Sequence, residues 1–382
     1  MSRVRVLVLI KGLGVGGAER LLVDMLAVRD RERFDYEVAY VTAAQGALAG
    51  AVEGLGVPVH PLGAGASADV RWTARLRSLL GAGHYDVVHA HLPYTAAFGR
   101  LAALSLGRRR PVLLYTEHSL WSKAAVLTKA LNRLTVGLDD GLVVVSEAAR
   151  QALPPALRDR ARVVVHGIDR TRFALPADER HALRAAVRSE LGAGDDDVVA
   201  LTVANLRTEK GYDVLVAAAP VALAAAPSLR FVWVGRGPLQ DEVASAAAAP
   251  ALGGRARFLG PRPDAARLMA AADLFVLPSH QEGLPVALME AMSAGLPVVA
   301  TTVGGVPGVV RHEGEGLLVA PGRPDELAAA VARVAGDAEL RGRLAAASAA
   351  RSALFDVRES ARAIEAVYDE LLAARAARRR GR

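Results

Sequence analysis

Short apolar runs alternate with helical patterns along the chain, and this alternation limits the possible folds more than any other feature. In the first half the runs occupy residues 3–10, 37–42, 57–61, 87–90, 112–116, 141–146 and 162–166. In the second half they occupy residues 198–204, 230–235, 256–259, 274–278, 297–301 and 316–319. Helical patterns lie between them, for example at residues 18–28, 94–106, 213–225, 264–271 and 285–294. Short strands that alternate with helices predict parallel, doubly wound sheets.

The strand–helix pattern stops and restarts near the middle of the chain. HGIDRTRFALP (residues 166–176) ends the first series, and we expect a linker at residues 168–196. A length of 382 residues also suits two domains. We therefore predict an α/β protein with two Rossmann-like domains, residues 1–170 and 171–357, facing each other across a cleft. A C-terminal helix within residues 358–382 is expected to cross back to the first domain.

Composition excludes several classes of protein. The chain is 52% hydrophobic and 23% charged, so a large core can form and extensive disorder is not expected. It contains no cysteine, which excludes disulfides, thiolate metal sites and cysteine nucleophiles. The longest apolar region, residues 214–229, contains Pro220 and Pro227 and is too short to span a membrane. The first apolar run is short for a signal peptide. We expect a cytoplasmic protein.

The net charge of +7 is unevenly distributed. Five arginines fall within the last eight residues: Arg375, Arg378, Arg379, Arg380 and Arg382. They form either a frayed, solvated tail or a peripheral contact with an anionic membrane surface. A nucleic-acid partner is not expected, because no aromatic residues accompany the charge.

A second segment also has a membrane contact as one of its two interpretations. In VRWTARLRSLL (residues 70–80), helical spacing gathers the apolar residues on one side. The segment is interpreted either as a buried amphipathic helix or as a membrane-facing helix that serves a lipid-linked acceptor.

A glycine-rich turn, KGLGVGGAER, follows the first apolar run. Gly12, Gly14 and Gly17 satisfy the G-x-G-x-x-G pattern of dinucleotide-binding turns. Such a site also needs an acidic residue at the end of the second strand, where this chain has AAQG at residues 43–46. Asp35 and Glu37 lie at the beginning of that strand, so an NAD site is not expected. The turn instead offers backbone N–H groups to an anion or a sugar hydroxyl.

The second half contains the segment LPSHQEGLPVALMEAMSAGLPVVAT, residues 277–301. Glu282 is predicted in the loop after a buried strand, Pro285 at the first helical position, and Glu290 inside the helix. The N–H groups around residues 283–286 and the helix dipole favour a phosphate, and Glu290 could accept hydrogen bonds from ribose hydroxyls. By itself, this spacing of two glutamates is more typical of chance on a solvated helix face than of a binding site.

The surrounding motifs favour the functional interpretation. The segment resembles the E-x7-E signature of retaining GT-B glycosyltransferases of the family 4 type. Other motifs of that family occur in the family's order: GGAER (16–20), VVHAHLPY (87–94), TEH (116–118), VSE (145–147), HGID (166–169), EKG (209–211) and VGRGP (234–238).

The resemblance implies a nucleotide-sugar donor, carrying UDP or GDP, and a hexosyl transfer that retains the anomeric configuration without a metal or other cofactor. The acceptor is a hydroxyl of a glycan, a lipid-linked molecule or a small molecule. Glu282 is implied to hold a donor-sugar hydroxyl, and Glu290 the nucleoside ribose. The residues implied in catalysis are His118, Arg207, Lys210 and Glu282. Those implied in donor binding are Gly16, Gly17, Asn205, Gly235, Gly283, Leu284, Pro285 and Glu290, with His91 on the acceptor side.

Three positions depart from the family pattern. Asn205 stands where the family usually has an arginine, and Arg207 is the candidate for the second phosphate-binding cation. Gly308 replaces a glutamate in GGVPGVV, and His166 replaces the asparagine of NGID.

Two features could suggest a metal site. The D-x-D within residues 195–197 is predicted to precede a strand, at the end away from the active loops, and to form a solvated turn. His89 and His91 are expected to point to opposite faces of a strand and so not to share a metal ion. A nucleotide-sugar 2-epimerase or a non-catalytic nucleotide-sugar-binding protein of the same fold remains an alternative function.

Overall fold

The chain divides into two compact units in a computed structural model that describes residues 3–14, 16–65, 69–118, 126–173 and 175–380. Unit 1 comprises Met1–Ile168 and Val357–Arg382, and unit 2 comprises Asp169–Asp356.

Unit 1 contains a sheet that, among the described residues, has seven strands in the order β3-β2-β1-β4-β5-β6-β7, with all neighbours parallel. The strands are β1 Val4–Ile10, β2 Phe34–Thr42, β3 Val59–Ala64, β4 Val87–His91, β5 Val112–Glu117, β6 Gly141–Val144 and β7 Ala161–Val163. The helices are α1 Gly17–Ala27, α2 Ala49–Glu53, α3 Trp72–Gly83, α4 Pro93–Leu104, α5 Val126–Thr135, α6 Glu147–Gln151 and α7 Pro155–Arg158, and later α16 Val357–Arg380.

Unit 2 repeats the arrangement with a sheet of six described strands in the order β10-β9-β8-β11-β12-β13, again parallel. The strands are β8 Val198–Val203, β9 Leu229–Val234, β10 Ala256–Phe258, β11 Leu274–Leu277, β12 Val298–Thr301 and β13 Gly316–Val319. The helices are α8 Ala177–Leu191, α9 Tyr212–Ala225, α10 Gln240–Ala247, α11 Ala265–Ala271, α12 Val286–Ser293, α13 Val306–Val309, α14 Pro324–Gly336 and α15 Ala338–Arg351.

Both sheets confirm the prediction of doubly wound, parallel architecture, and each predicted strand overlaps an observed one. In each unit the strand order reverses beside the first strand, between β1 and β4 or between β8 and β11. The carboxyl ends of these central strands are where such sheets bind ligands.

Helix α16 packs within unit 1, on α1 and against the sheet. Its buried side chains include Ile364, Val367 and Tyr368. Because these residues recur at helical spacing, they form one apolar stripe along α16, and this stripe packs against the sheet.

The expected linker at residues 168–196 is wrong, because most of it forms α8. This helix packs on α11, and its Arg184 and Arg188 form ion pairs of 2.5 and 2.9 Å with Asp273 at the start of β11. The charged residues that suggested a solvated linker therefore anchor a helix to unit 2.

The two segments considered for membrane contact have defined positions. Trp72, Leu76 and Leu80 of α3 are buried in the core of unit 1, as the first interpretation predicts, so the apolar face of α3 is not available to a membrane. The arginine-rich end is helical to Arg380 and is not frayed, and Arg382 lies outside the described residues. Within the described part of the chain, none of the helices has the length and apolar character that crossing a bilayer requires.

Candidate active site

The loops after β8 and β11 meet at the point where the strand order of unit 2 reverses. Lys210 lies in the first loop and Glu282 in the second, 72 residues further along the chain. The Lys210 ammonium nitrogen lies 2.7 Å from Oε1 of Glu282. The Glu282 side chain is only 4% exposed, whereas that of Lys210 is 24% exposed. A cation and a buried carboxylate thus occupy the ligand-binding position of a doubly wound sheet.

Hydrogen bonds fix the two loops to each other. The Glu209 carbonyl accepts from the backbone N–H groups of residues 280–281, at 2.9 and 3.2 Å. The Ser279 hydroxyl donates to Oε1 of Glu282 at 2.7 Å, and Thr301 donates to the Ser279 carbonyl at 2.5 Å. Ser279 is part of the PS pair of the sequence motif, but its role in orienting Glu282 was not predicted.

Two glycines allow this close approach. Gly211 has φ +68°, and a Cβ there would lie 2.0 Å from the Pro278 carbonyl oxygen. Gly304 has φ +50°, and a Cβ there would lie 1.6 Å from the carbonyl oxygen of Glu282. Any larger residue would combine an unfavourable backbone conformation with a steric clash.

The helix after Glu282 begins one residue later than predicted. Helix α12 starts at Val286, and Pro285 is its N-cap rather than its first helical residue. Gly283 and Leu284, half-buried, lie between Glu282 and this helix start. Glu290 is half-buried inside α12. The N-terminal end of α12, with the positive end of its helix dipole, therefore follows Glu282 directly in the chain, in an arrangement suited to a phosphate.

The remaining donor-binding candidates of unit 2 lie at the carboxyl ends of β8 and β9. Asn205 and Arg207 are exposed in the loop after β8. Gly235 follows β9, and a Cβ there would lie 1.9 Å from the carbonyl oxygen of residue 204. The same β8 loop donates a backbone hydrogen bond of 2.9 Å to the carbonyl of Arg236, an exposed residue that was not among the predictions. Arg236 is part of the VGRGP motif, so the sequence did contain a sign that could have identified it.

In unit 1 the structure brings the predicted histidines together. His91 ends β4 and His118 follows β5, the adjacent strand. Nδ1 of His91 lies 2.7 Å from Nε2 of His118. The His166 ring stands edge-on to His118, with their centroids 5.2 Å apart. These side chains therefore form one cluster at the carboxyl edge of the sheet.

The expectation that His89 and His91 face opposite sides of the sheet is wrong. Residues two apart on a strand share a face, and the two rings lie 4.3 Å apart. His89 is buried between Tyr368 and Thr116, with a 2.7 Å hydrogen bond to each side-chain oxygen. It is a packed residue beneath the cluster.

Burial keeps the histidines of this cluster neutral. It lowers the pKa of His89, His91 and His118 well below the usual value, and the neighbouring imidazoles lower these pKa values further. Burial lowers the pKa of His166 to about 4. Among the described residues, Nε2 of His91 and Nε2 of His166 are buried without a hydrogen-bond partner. These nitrogens can accept from, or donate to, a ligand hydroxyl.

A strained residue follows His91. Leu92 has φ +73° and ψ +148°, a conformation that non-glycine residues rarely adopt. Its carbonyl accepts from the Thr95 hydroxyl at 3.0 Å, and its N–H donates to the Thr116 carbonyl at 3.2 Å. These bonds hold the strained residue in place between β4 and α4, and no sequence signal predicts it.

The glycine-rich turn lies beside the loop after β2. Gly16 is the N-cap of α1, which begins at Gly17. A Cβ on Gly12 would lie 2.3 Å from the side-chain oxygen of Gln45. An amide therefore occupies the region where an NAD site needs a carboxylate, and Glu37 instead pairs with Arg5 at 2.5 Å. The turn is not a dinucleotide site of the usual kind.

The D-x-D segment lies where the sequence predicts, in the turn before β8. Asp195 and Asp196 are exposed, and Asp197 forms a 2.5 Å ion pair with Arg230. Within the described ranges, no group of three or more His, Asp or Glu residues is arranged to hold a metal ion.

Each of the two units matches a known protein family. Residues 197–337 match the family described as "Glycosyl transferases group 1", and residues 15–172 match "Glycosyltransferase Family 4". A D-inositol 3-phosphate glycosyltransferase of Nocardia farcinica is 33% identical over 317 residues, covering 76% of this chain and 67% of that protein. The Mycobacterium avium protein of the same name is 35% identical over 325 residues, covering 78% and 73%.

Solved structures share the architecture. Anabaena Alr3699/HepE in complex with UDP-glucose superimposes with a TM-score of 0.82 at 25% identity, covering 96% of this chain and 99% of that one. Sucrose-phosphate synthase from Thermosynechococcus elongatus has a TM-score of 0.77 at 21% identity, covering 97% and 100%, and shows a likeness of fold alone. With its two parallel sheets and these family matches, the chain belongs to the family 4, group 1 glycosyltransferases and has their two-domain GT-B fold.

Proposed function

We propose that this glycosyltransferase moves a hexosyl group from a uridine diphosphate sugar to a hydroxyl acceptor, with retention of the anomeric configuration and without a metal ion. The Lys210–Glu282 pair at the switch point of unit 2 is the observation that carries the proposal. The choice of uridine is supported by the HepE structure, which contains UDP-glucose.

Unit 2 supplies the groups that the donor requires. Departure of the nucleoside diphosphate places negative charge on its phosphates, and Lys210 with the N–H groups at the start of α12 can stabilise that charge. Glu282, already desolvated and oriented by Ser279, accepts from a hydroxyl of the donor sugar. Glu290 accepts from the ribose, and Arg207 provides a second cation near the phosphates.

Unit 1 supplies the acceptor side. His118 keeps the role that the family resemblance implies, beside the donor sugar, and His91 lies on the acceptor side. A neutral imidazole pair can exchange hydrogen bonds with sugar hydroxyls without introducing a charge that would compete with the phosphates. Retention is consistent with a same-face reaction in which the leaving phosphate helps to deprotonate the acceptor.

Two observations make D-inositol 3-phosphate the first acceptor to test. The relatives quoted above bear that substrate in their names. In unit 1, Lys11 follows β1 as the first residue of the glycine-rich turn, with its ammonium 5.8 Å from the centre of the Tyr94 ring. A cation at the carboxyl edge of the sheet fits an acceptor that carries a phosphate.

The decisive experiment incubates the purified protein with UDP-, GDP- and ADP-sugars, with and without a panel of hydroxyl acceptors that includes D-inositol 3-phosphate. We expect release of UDP and an acceptor glycoside with the donor's anomeric configuration by proton NMR, and unchanged rates after chelation by EDTA. Free sugar with C2 inverted would indicate a 2-epimerase. Donor binding with neither transfer nor slow hydrolysis would indicate a binding protein.

A further inference from the structure

The end of α16 lies against the segment that precedes β5 in unit 1. The Arg379 guanidinium donates to the Arg108 carbonyl at 3.2 Å, and Arg375 donates to the Arg110 carbonyl. These bonds align two arginine-rich stretches that are far apart in the sequence. We call the exposed part of the resulting cluster the arginine surface: it consists of Arg108, Arg109, Arg378, Arg379 and Arg380.

The positive charge of this region is poorly compensated. Residues 87–116, 126–138 and 371–380 contain ten Lys and Arg residues and no Asp or Glu. Two of these arginines have acidic partners from outside the three segments: Arg100 pairs with Asp139 at 2.6 Å, and Arg110 with Asp140 at 3.0 Å. Burial and the proximity of Arg379 and Arg110 lower the pKa of Arg375, against a smaller opposing effect of Asp140 and Asp86. A positive field of this kind attracts anionic partners.

Exposed leucines lie at the same end of unit 1. Leu101 and Leu104 are 47% and 41% exposed on the last turn of α4, and Leu134 is 80% exposed at the end of α5. The Arg100 side chain on α4 donates to Asn132 at 2.6 Å, which holds the two helix ends side by side. The three leucines thus add exposed aliphatic side chains at the end of unit 1 that also carries the arginines.

The topology separates this region from the candidate active site. Helices α4 and α5 start near the carboxyl ends of strands and run back, so their last turns lie at the amino edge of the sheet. The segment 107–110 leads into the amino end of β5. His91 and His118 are at the carboxyl edge, so a partner at the arginine surface leaves them uncovered.

We propose that the arginine surface and the adjacent leucines dock unit 1 on an anionic phospholipid bilayer. The guanidinium groups pair with lipid phosphates, while Leu101, Leu104 and Leu134 enter the boundary between headgroups and acyl chains. A lipid surface fits better than a nucleic acid, because the exposed apolar side chains are aliphatic and cannot provide the base stacking typical of nucleic-acid sites. This inference is independent of the proposed donor and acceptor.

The test is co-sedimentation of the full chain with phosphatidylcholine vesicles, with and without phosphatidylglycerol, at physiological ionic strength. We expect binding only to the anionic vesicles. The triple variant Arg378→Gln/Arg379→Gln/Arg380→Gln should reduce partitioning by at least about tenfold, because each basic residue near the surface contributes to binding. Leu104→Asn/Leu134→Asn should weaken binding that persists at high salt.

A matched control removes three exposed arginines from unit 2, as Arg323→Gln/Arg333→Gln/Arg343→Gln, and should bind vesicles like the wild type. Thermal unfolding and UDP binding of every variant report whether the fold and donor site are intact, so failure of this proposal is distinguishable from failure of the proposed function. Equal sedimentation with neutral and anionic vesicles, equal losses in the control, or binding to an RNA oligonucleotide without binding to vesicles would each overturn the proposal.

Discussion

The Glu282 carboxylate is buried and accepts hydrogen bonds from Lys210 and Ser279. Replacing Lys210 by Ala removes the cation and leaves a buried carboxylate without its charge partner. We expect Lys210→Ala to lower the transfer rate by about 10²–10³, the usual effect of losing one preorganised donor. It should also lower the midpoint of thermal unfolding. Steady-state kinetics with a saturating donor and a calorimetric scan check both effects.

Glu290→Ala provides the contrast, because Glu290 is assigned to the ribose and not to the departing phosphates. This variant should weaken UDP binding, measured by titration calorimetry, more than it slows transfer at saturation. Glu242→Ala, an exposed glutamate on α10 of the same unit, is the control and should change neither quantity. Full activity of both Lys210→Ala and Glu290→Ala would show that the site is misassigned.

At the scale of elements, the loops after β8, β11 and β12 depend on glycines at their points of contact. Gly304→Ala would place a methyl group against the Glu282 carbonyl at a residue with φ +50°. We expect a loss of about 2 kcal/mol or more in the free energy of unfolding, from strain and the clash together. Donor affinity should fall as well, because the Glu282 loop must shift. Urea unfolding and UDP titration measure the two effects.

Gly308→Ala, in the short helix α13 four residues further along, is the matched control. A Cβ at Gly308 meets nothing within 4 Å, and its φ is not positive. Near wild-type stability is expected for this variant, so comparable destabilisation by both substitutions would count against the contact argument.

At the scale of the whole molecule, the buried histidines make unit 1 sensitive to acid. The pKa of His166 is about 4 in the folded chain, against about 6.5 for an unperturbed histidine. Between these values the unfolded chain binds a proton that the folded chain does not, so the free energy of unfolding falls as the pH falls. The contribution is at most about 1.4 kcal/mol per pH unit for each such histidine.

His166→Asn should therefore reduce the loss of stability between about pH 7 and pH 5, because a histidine of the unfolded chain takes up its proton in this range. Asp139, whose pKa burial raises to about 6, acts in the opposite direction, but it is common to both proteins and cancels in the comparison. Urea unfolding followed by tryptophan fluorescence in a Trp233→Phe background reports on unit 1, since Trp233 is the tryptophan of unit 2. His84→Asn, an exposed site in unit 1, should leave the pH dependence unchanged; an equal effect there would argue against burial as its cause.

The local elements and the family of this chain can be derived from its residues alone. Every strand could be located from its apolar run, since side-chain periodicity is a local property of the chain. The motifs around Lys210, Glu282 and Glu290 identified the glycosyltransferase family because their order and spacing are encoded directly. The shared face of His89 and His91 also follows from the sequence, since residues two apart on a strand point to the same side.

Tertiary structure alone decided which distant residues meet. The pairing of Lys210 with Glu282 depends on β8 and β11 being neighbours in the sheet, although three helices and two strands separate them in the chain. The residues expected to form a linker instead form α8, which is held to unit 2 because Arg184 and Arg188 can reach Asp273. The basic end of the chain joined Arg108 because α16 packs across the sheet of unit 1. Such contacts follow from strand order and packing, which no local pattern of residues specifies.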